Sequence, residues 1–249
     1  MVILLDIGNT AVTYGHYSRG RFHSFGYVIY NDIPKIFKKW SKSGALNNSN
    51  IVIGSVVPKI TYIIKKSLER ERTAKLWVVG ENLPLAIKHR YFNFKRLGAD
   101  RVVNIYGALK MYKPPLLMID FGTAVTADYI SAKGVFEGGM IIPGPETAFQ
   151  ALIEKAALLP KKIRLPKTRQ SFLGRSTYEC ISSGILEGYG SMTDELICRF
   201  KNHFGKKIRV IATGGFAIHL KPYVHHFDIL DSRHSIKSLL ILFKDKVRP

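Results

Sequence analysis

At 249 residues and 28.1 kDa the chain is long enough for one large domain or two modest ones with a sizeable core. Its hydrophobic content of 46% includes no run of the roughly eighteen uninterrupted apolar residues that a membrane helix needs, so no membrane partner is expected. The 38 Lys and Arg against 18 Asp and Glu leave a formal charge of +20, which raises nucleic acid as a partner and would also draw anionic small molecules.

From the N-terminus, residues 3 to 13 read Ile-Leu-Leu-Asp-Ile-Gly-Asn-Thr-Ala-Val-Thr, a buried strand ending in an Asp-x-Gly turn that runs into a second strand. The opening apolar run is short, ends in a carboxylate and has no basic residue before it, which predicts a cytoplasmic protein. A helix is expected over Ile33 to Ser43, a strand over Ile51 to Val57 ended by Pro58, a helix over Lys59 to Glu71 and a strand over Leu76 to Val79. A helix over Asp100 to Met111 then meets Lys113-Pro114-Pro115, where proline rules out continuation and marks a boundary.

Residues 117 to 126, Leu-Met-Ile-Asp-Phe-Gly-Thr-Ala-Val-Thr, repeat the opening pattern 114 positions later, close to half the chain. Two homologous halves follow, residues 1–112 and 113–249, with strands and helices mixed in both, an α/β class. In the second half strands are expected over Val135 to Ile142 and Arg209 to Ala212. Helices are expected over Pro145 to Ala157, Thr177 to Phe204 and His234 to Phe243, with a basic loop over Lys161 to Ser171.

Within the Thr177 to Phe204 helix, Gly184, Gly188 and Gly190 each cost about 1 kcal/mol against alanine, and close approach of another helix is the simplest reason. Cys180 and Cys198 on the same helix stand roughly 27 Å apart at about 1.5 Å per residue, too far to bridge. They read as buried free thiols of a reducing compartment. The basic residues are scattered, with no aromatic-interleaved RNA motif or recognition helix. A lysine-rich solvated surface is therefore the stronger reading and nucleic acid the weaker.

A phosphate needs convergent backbone N–H donors, and glycine lets the backbone approach without a Cβ in the way. Asp6-Ile7-Gly8-Asn9-Thr10 and Asp120-Phe121-Gly122-Thr123 both supply this, each with a strand-end carboxylate able to hold Mg²⁺ directly or through water. One such turn is ordinary hairpin chemistry, but two in register point to function. In their company Ala212-Thr213-Gly214-Gly215, after an apolar strand, becomes a candidate nucleotide loop. No Walker-type or Gly-x-Gly-x-x-Gly run is present, which argues against P-loop and Rossmann folds.

The three turns together resemble the superfamily of actin, sugar kinases and Hsp70-type ATPases. That resemblance implies two duplicated ribonuclease-H-like domains with an interdomain nucleotide cleft. More narrowly, Leu97-Gly98-Ala99-Asp100-Arg101, the Asp120 turn, Gly138-Gly139-Met140-Ile141-Ile142-Pro143-Gly144 and Leu173-Gly174-Arg175-Ser176-Thr177 fall in the order of type III pantothenate kinases. Ser55-Val56-Val57-Pro58 and Glu154 to Pro160 are similar to further blocks of that family, so the resemblance spans nearly the whole chain.

The resemblance implies ATP-dependent phosphorylation of the primary hydroxyl of pantothenate, the first step towards coenzyme A, by a homodimer that uses Mg²⁺ and a monovalent cation (K⁺ or NH₄⁺). It implies Asp6, Ile7, Gly8, Asn9, Thr10, Ala11, Val12 and Thr13 as the first phosphate loop and Thr123 as a second ATP contact. Asp120 becomes the monovalent-cation ligand, Asp6 the Mg²⁺ residue, and Gly214 and Gly215 the nucleotide loop. Tyr91, Gly98, Ala99, Asp100, Arg101 and Thr177 become pantothenate contacts. Asp100 is the expected catalytic base for the hydroxyl proton, with Arg101 for substrate carboxylate or phosphoryl charge. From spacing alone Asp100 reads equally well as a residue stabilised by a helix N-terminus. The chain departs from the family pattern at Ala11, at Asn93-Phe94 and over Ser232 to Leu239. Two alternatives are a kinase or phosphatase with another acceptor and a non-catalytic transcription accessory factor that binds nucleic acid.

Overall fold

The computed structural model describes residues 1–68, 73–156, 158, 159, 166 and 168–247. The first part of the chain forms β1 (Val2–Ile7), β2 (Ala11–Ser18), β3 (Arg21–Ile29), α1 (Ile33–Lys42), β4 (Asn50–Ser55), α2 (Pro58–Leu68), β5 (Lys75–Val78) and α3 (Ala99–Met111). The second forms β6 (Leu116–Phe121), β7 (Ala124–Ile130), β8 (Phe136–Pro143), α4 (Pro145–Lys155), α5 (Thr177–Phe204), β9 (Arg209–Thr213), α6 (Ala217–Leu220), β10 (Ile229–Leu230) and α7 (His234–Val247). Expected residues 69–71 of the second helix, 161–165 and 167 of the basic loop, and 157 and 160 of the Glu154 to Pro160 block lie outside the described residues.

The sequence repeat is also a repeat of topology. The first sheet runs β3-β2-β1-β4-β5 and the second β8-β7-β6-β9-β10, so equivalent strands hold equivalent places. In each, the strand carrying the Asp-x-Gly turn pairs antiparallel with its successor and parallel with the strand on its other side. The register aligns Asp6 with Thr13 and Asp120 with Thr126.

Packing divides the chain into two compact units, the first comprising Met1–Ile87, Phe92–Met111 and His234–Pro249, the second Lys88–Tyr91 and Tyr112–Arg233. These packing units depart from the sequence cut between 1–112 and 113–249 chiefly in giving residues 234–249 to the first. Helix α7 buries Ile236, Leu239, Leu240 and Leu242 among Leu4, Val52, Val103 and Tyr106 of unit 1. Asp245 of α7 ties it to α3 by accepting from Tyr106 Oη and Lys110 Nζ, each at 2.7 Å. Gly107 makes the approach possible, because a Cβ there would lie 1.8 Å from Ser238 Oγ and 2.8 Å from its Cα. Unit 2 centres on Leu117, Ile119, Phe121 and Val210 beneath Leu186 and Ile197 of α5.

Helix α5 begins after an N-cap in which Ser176 Oγ accepts the Glu179 N–H, and it ends at Gly205, whose φ is +117°. Among the described residues, of its expected crowded glycines only Gly190 meets a neighbour, and this is Tyr223 in the turn after α6 rather than another helix; its Cβ would lie 2.6 Å from an added Cβ. Gly184 and Gly188 have nothing of the described chain within 4 Å of that position. Cys180 and Cys198 are free, but they are not buried as expected: Cys180 is exposed and Cys198 only partly covered. Among the described residues no helix is long and apolar enough to cross a membrane.

Candidate active site

Unit 1 assembles its chemistry where β1 and β4 end side by side. Parallel register sets Asp6 beside Gly54 and Ile7 beside Ser55, the carboxyl-end position at which open α/β sheets bind ligands. Beyond β1 the chain turns through Gly8-Asn9-Thr10 into β2, closed by the Gly8 N–H donating to Ala11 O at 3.1 Å. The Tyr30 hydroxyl, from the 3-10 turn after β3, donates to Gly8 O. Asn9 and Thr10 are exposed. The side chains of Ile7 and Val12 are 0% and 1% exposed within the unit 1 core, so of these two expected loop residues only the backbone can face a ligand.

The Gly98 to Arg101 block opens α3 in the same unit. Asp100 Oδ1 accepts the Arg101 N–H at 2.7 Å. A Cβ on Gly98 would lie 2.4 Å from that oxygen, so glycine lets the backbone run under the carboxylate. Arg101 is only 8% exposed. Asp6 and Asp100, 94 positions apart in sequence, are near enough for one to act on the other. Burial pushes the Asp6 carboxyl up to about 6; a hydrogen bond with Ser235 of α7 lowers it and the charge of Asp100 raises it again.

That rise has a consequence for the ligand-free protein. A folded value of about 6 against an ordinary 3.8 means that Asp6 opposes folding once pH exceeds the unfolded value, and fully above 6. Asp6→Asn is therefore expected to raise stability at pH 7 by on the order of 2 to 3 kcal/mol, a gain that fades to nothing at about pH 3. Melting curves against pH without nucleotide or divalent ions check this; a gap that persists at low pH would refute it.

Unit 2 joins the second and third turns. The β6–β9 register pairs Asp120 with Thr213, and Gly214 follows with φ +93°. A Cβ there would sit 2.4 Å from Asp120 Oδ1 and 2.5 Å from Phe121 O. Gly122 and Thr123 are exposed, and the Thr123 carbonyl accepts from Gly144 N at 2.9 Å and Thr147 Oγ1 at 2.6 Å. Of the other expected residues, Tyr91 lies in unit 2 stacked on Phe136, centroids 5.8 Å apart, and Arg90 beside it pairs with Glu137 at 3.3 Å. Thr177 is exposed at the first position of α5. Tyr30 and Thr147 were not legible as site residues, since no spacing rule links them to the turns they hold.

The sequence model described as type III pantothenate kinase matches residues 2–199. The chain belongs to the type III pantothenate kinase family. A relative named type III pantothenate kinase, from Syntrophus aciditrophicus, is 29% identical, covering 98% of this chain and 99% of its own. Among solved structures, a putative 2-dehydro-3-deoxygalactonokinase from Sinorhizobium meliloti matches with TM-score 0.65 at 9% identity, over 98% of this chain and 96% of that one. MreB5 of Spiroplasma citri bound to ADP matches with TM-score 0.52 at 11% identity, over 99% and 96%. The fold is that of the actin-like ATPases and sugar kinases, as the duplicated sheets require. As a member of the pantothenate kinase family the chain is an enzyme of coenzyme A biosynthesis, and neither alternative function is favoured.

Proposed function

We propose that this pantothenate kinase transfers the γ-phosphoryl group of ATP to the primary hydroxyl of pantothenate with Asp100 as the base. The observation that carries the reading is that the charge of Asp100, at the start of α3, acts on the Asp6 carboxyl, which sits where β1 and β4 end side by side. Asp100, held by the Arg101 N–H and the bare backbone of Gly98, keeps a carboxylate oxygen for the hydroxyl proton as that oxygen attacks phosphorus. With the Gly8 and Gly122 N–H groups closing their own turns onto Ala11 O and Ala124 O, the later N–H groups of each turn, Asn9 in the first and Thr123 and Ala124 in the second, bind phosphate oxygens, with Gly214 and Gly215 shaping the nucleotide loop. Tyr91, Gly98, Ala99, Arg101 and Thr177 contact pantothenate.

Two carboxylates near enough to feel each other's charge are a donor set that suits a hard divalent cation, and Asp6 would hold Mg²⁺ directly or through water. Bound there, the ion would neutralise charge on the phosphates. Asp120, a strand-end carboxylate against the Gly214 backbone, supplies hard oxygen of the kind K⁺ or NH₄⁺ takes. The open glycines Gly184 and Gly188 on α5 support a homodimer, and the two free cysteines a cytoplasmic address.

A coupled ADP-release assay with ATP and Mg²⁺, with and without pantothenate, in K⁺ and then Na⁺ buffer, tests the proposal. Pantothenate-dependent release, faster in K⁺, with a phosphorylated product by mass, is expected. Release independent of pantothenate, or none from folded protein, would reject the acceptor, and indifference to K⁺ would reject the cation role of Asp120.

A further inference from the structure

Whether a glycine turn attracts or repels a phosphate depends on which edge of its peptide units faces the ligand. In a trans peptide the C=O and the next N–H point in opposite directions, so one flip replaces a donor with a partly negative oxygen. Glycine lowers the barrier to such a flip because both signs of φ are open to it. Something outside the turn must then hold the productive orientation.

In unit 1 the Gly8 carbonyl accepts the Tyr30 hydroxyl. The Tyr30 ring packs against the cluster of Ile3, Leu5, Ile33 and Phe37, so the hydroxyl is delivered from a fixed body. Burial also raises the Tyr30 hydroxyl above its ordinary value, which keeps it protonated and able to donate. With the Gly8 C=O held towards Tyr30, the N–H of exposed Asn9 points the other way. In unit 2 the Thr123 carbonyl accepts the Thr147 hydroxyl at 2.6 Å and the Gly144 N–H at 2.9 Å. Gly144 is forced to be glycine, since a Cβ would stand 2.1 Å from Gly122 O. Both units thus fasten a carbonyl of the turn with a hydroxyl from another element, at the glycine of the Asp-x-Gly in unit 1 and at the next residue in unit 2.

We propose that Tyr30 and Thr147 are positioning residues for nucleotide binding, fixing the peptide planes at Gly8–Asn9 and Thr123–Ala124 so that the turns present N–H rather than C=O to phosphate. The inference rests on the nucleotide reading above and deepens it. It concerns ATP and leaves pantothenate alone.

Tyr30→Phe, Thr147→Val and Thr147→Ser are compared with the unaltered protein by calorimetric titration with ATP and Mg²⁺, by steady-state kinetics and by melting temperature. Tyr30→Phe and Thr147→Val are each expected to weaken ATP about tenfold, the effect of one lost orienting hydrogen bond and the peptide freedom it releases. The KM for pantothenate stays unchanged, and Thr147→Ser, which keeps the hydroxyl, restores ATP affinity. Unchanged ATP affinity in either variant, or equal losses for ATP and pantothenate, would overturn the inference. If the unaltered protein binds ATP but does not phosphorylate pantothenate, the acceptor assignment falls and the ATP affinities of the variants still decide this one. If it binds no ATP, both fall.

Discussion

Asp100→Asn is expected to lower kcat by about 10²- to 10⁴-fold while ATP affinity changes little, because a base is needed only as the proton leaves the attacking hydroxyl. Asparagine has nearly the same shape, and its amide oxygen can still accept the Arg101 N–H that Asp100 takes at 2.7 Å, so the start of α3 has no reason to move. The substitution also removes a charge that raises the Asp6 carboxyl, so the Asp6 titration should shift below its value of about 6. Steady-state kinetics and ATP titration on the same preparation give the answer. Equal losses in turnover and ATP affinity would make Asp100 a binding residue.

Gly214→Ala is expected to cost on the order of 3 kcal/mol or more in stability and to impair nucleotide binding, while its neighbour Gly215→Ala is expected to leave stability nearly unchanged. At Gly214 the backbone has φ +93°, where an L side chain is strained, and the new Cβ would meet Asp120 Oδ1 at 2.4 Å and Phe121 O at 2.5 Å. The second contact is backbone and cannot swing aside. At Gly215 a Cβ meets nothing within 4 Å, so a change within about 0.5 kcal/mol is expected. Urea unfolding midpoints for the two variants check the contrast, and equal effects would mean that the turn is not held against Asp120 as described.

The parts read correctly from sequence share one property: their signal is local. The two Asp-x-Gly turns follow from apolar runs that stop at Asp6 and Asp120, and the observed strand orders match across the duplication. Helix α5 has the bounds read for it, Thr177 to Phe204, because Ser176 caps one end and Gly205 closes the other. Strand β3 was missed. Ser24 and Gly26 interrupt the face that Phe22 and Val28 begin and end, and its hairpin turns through Arg19 and Gly20, φ +49° and +80°, without the Asn-Gly or Asp-Gly pair that usually announces such a turn. What was not legible is long-range. Nothing in the apolar face of α7 says which core it enters, and nothing near Tyr30 says that its hydroxyl reaches Gly8. For Gly184 and Gly188 the neighbour, from this chain or from a dimer partner, is likewise long-range information, and among the described residues nothing meets them.

The return of α7 to unit 1 bears on how the chain matures. Unit 2 consists almost entirely of one uninterrupted stretch, whereas unit 1 needs a helix that follows α3 by roughly 120 residues, a wide loop whose closure entropy must be met before α7 docks. On the ribosome the later unit therefore has all its strands before the earlier one has its last helix. Until α7 arrives, Leu4, Val52 and Val103 lack the partners that cover them, so nascent unit 1 is the stretch a chaperone would have to shelter.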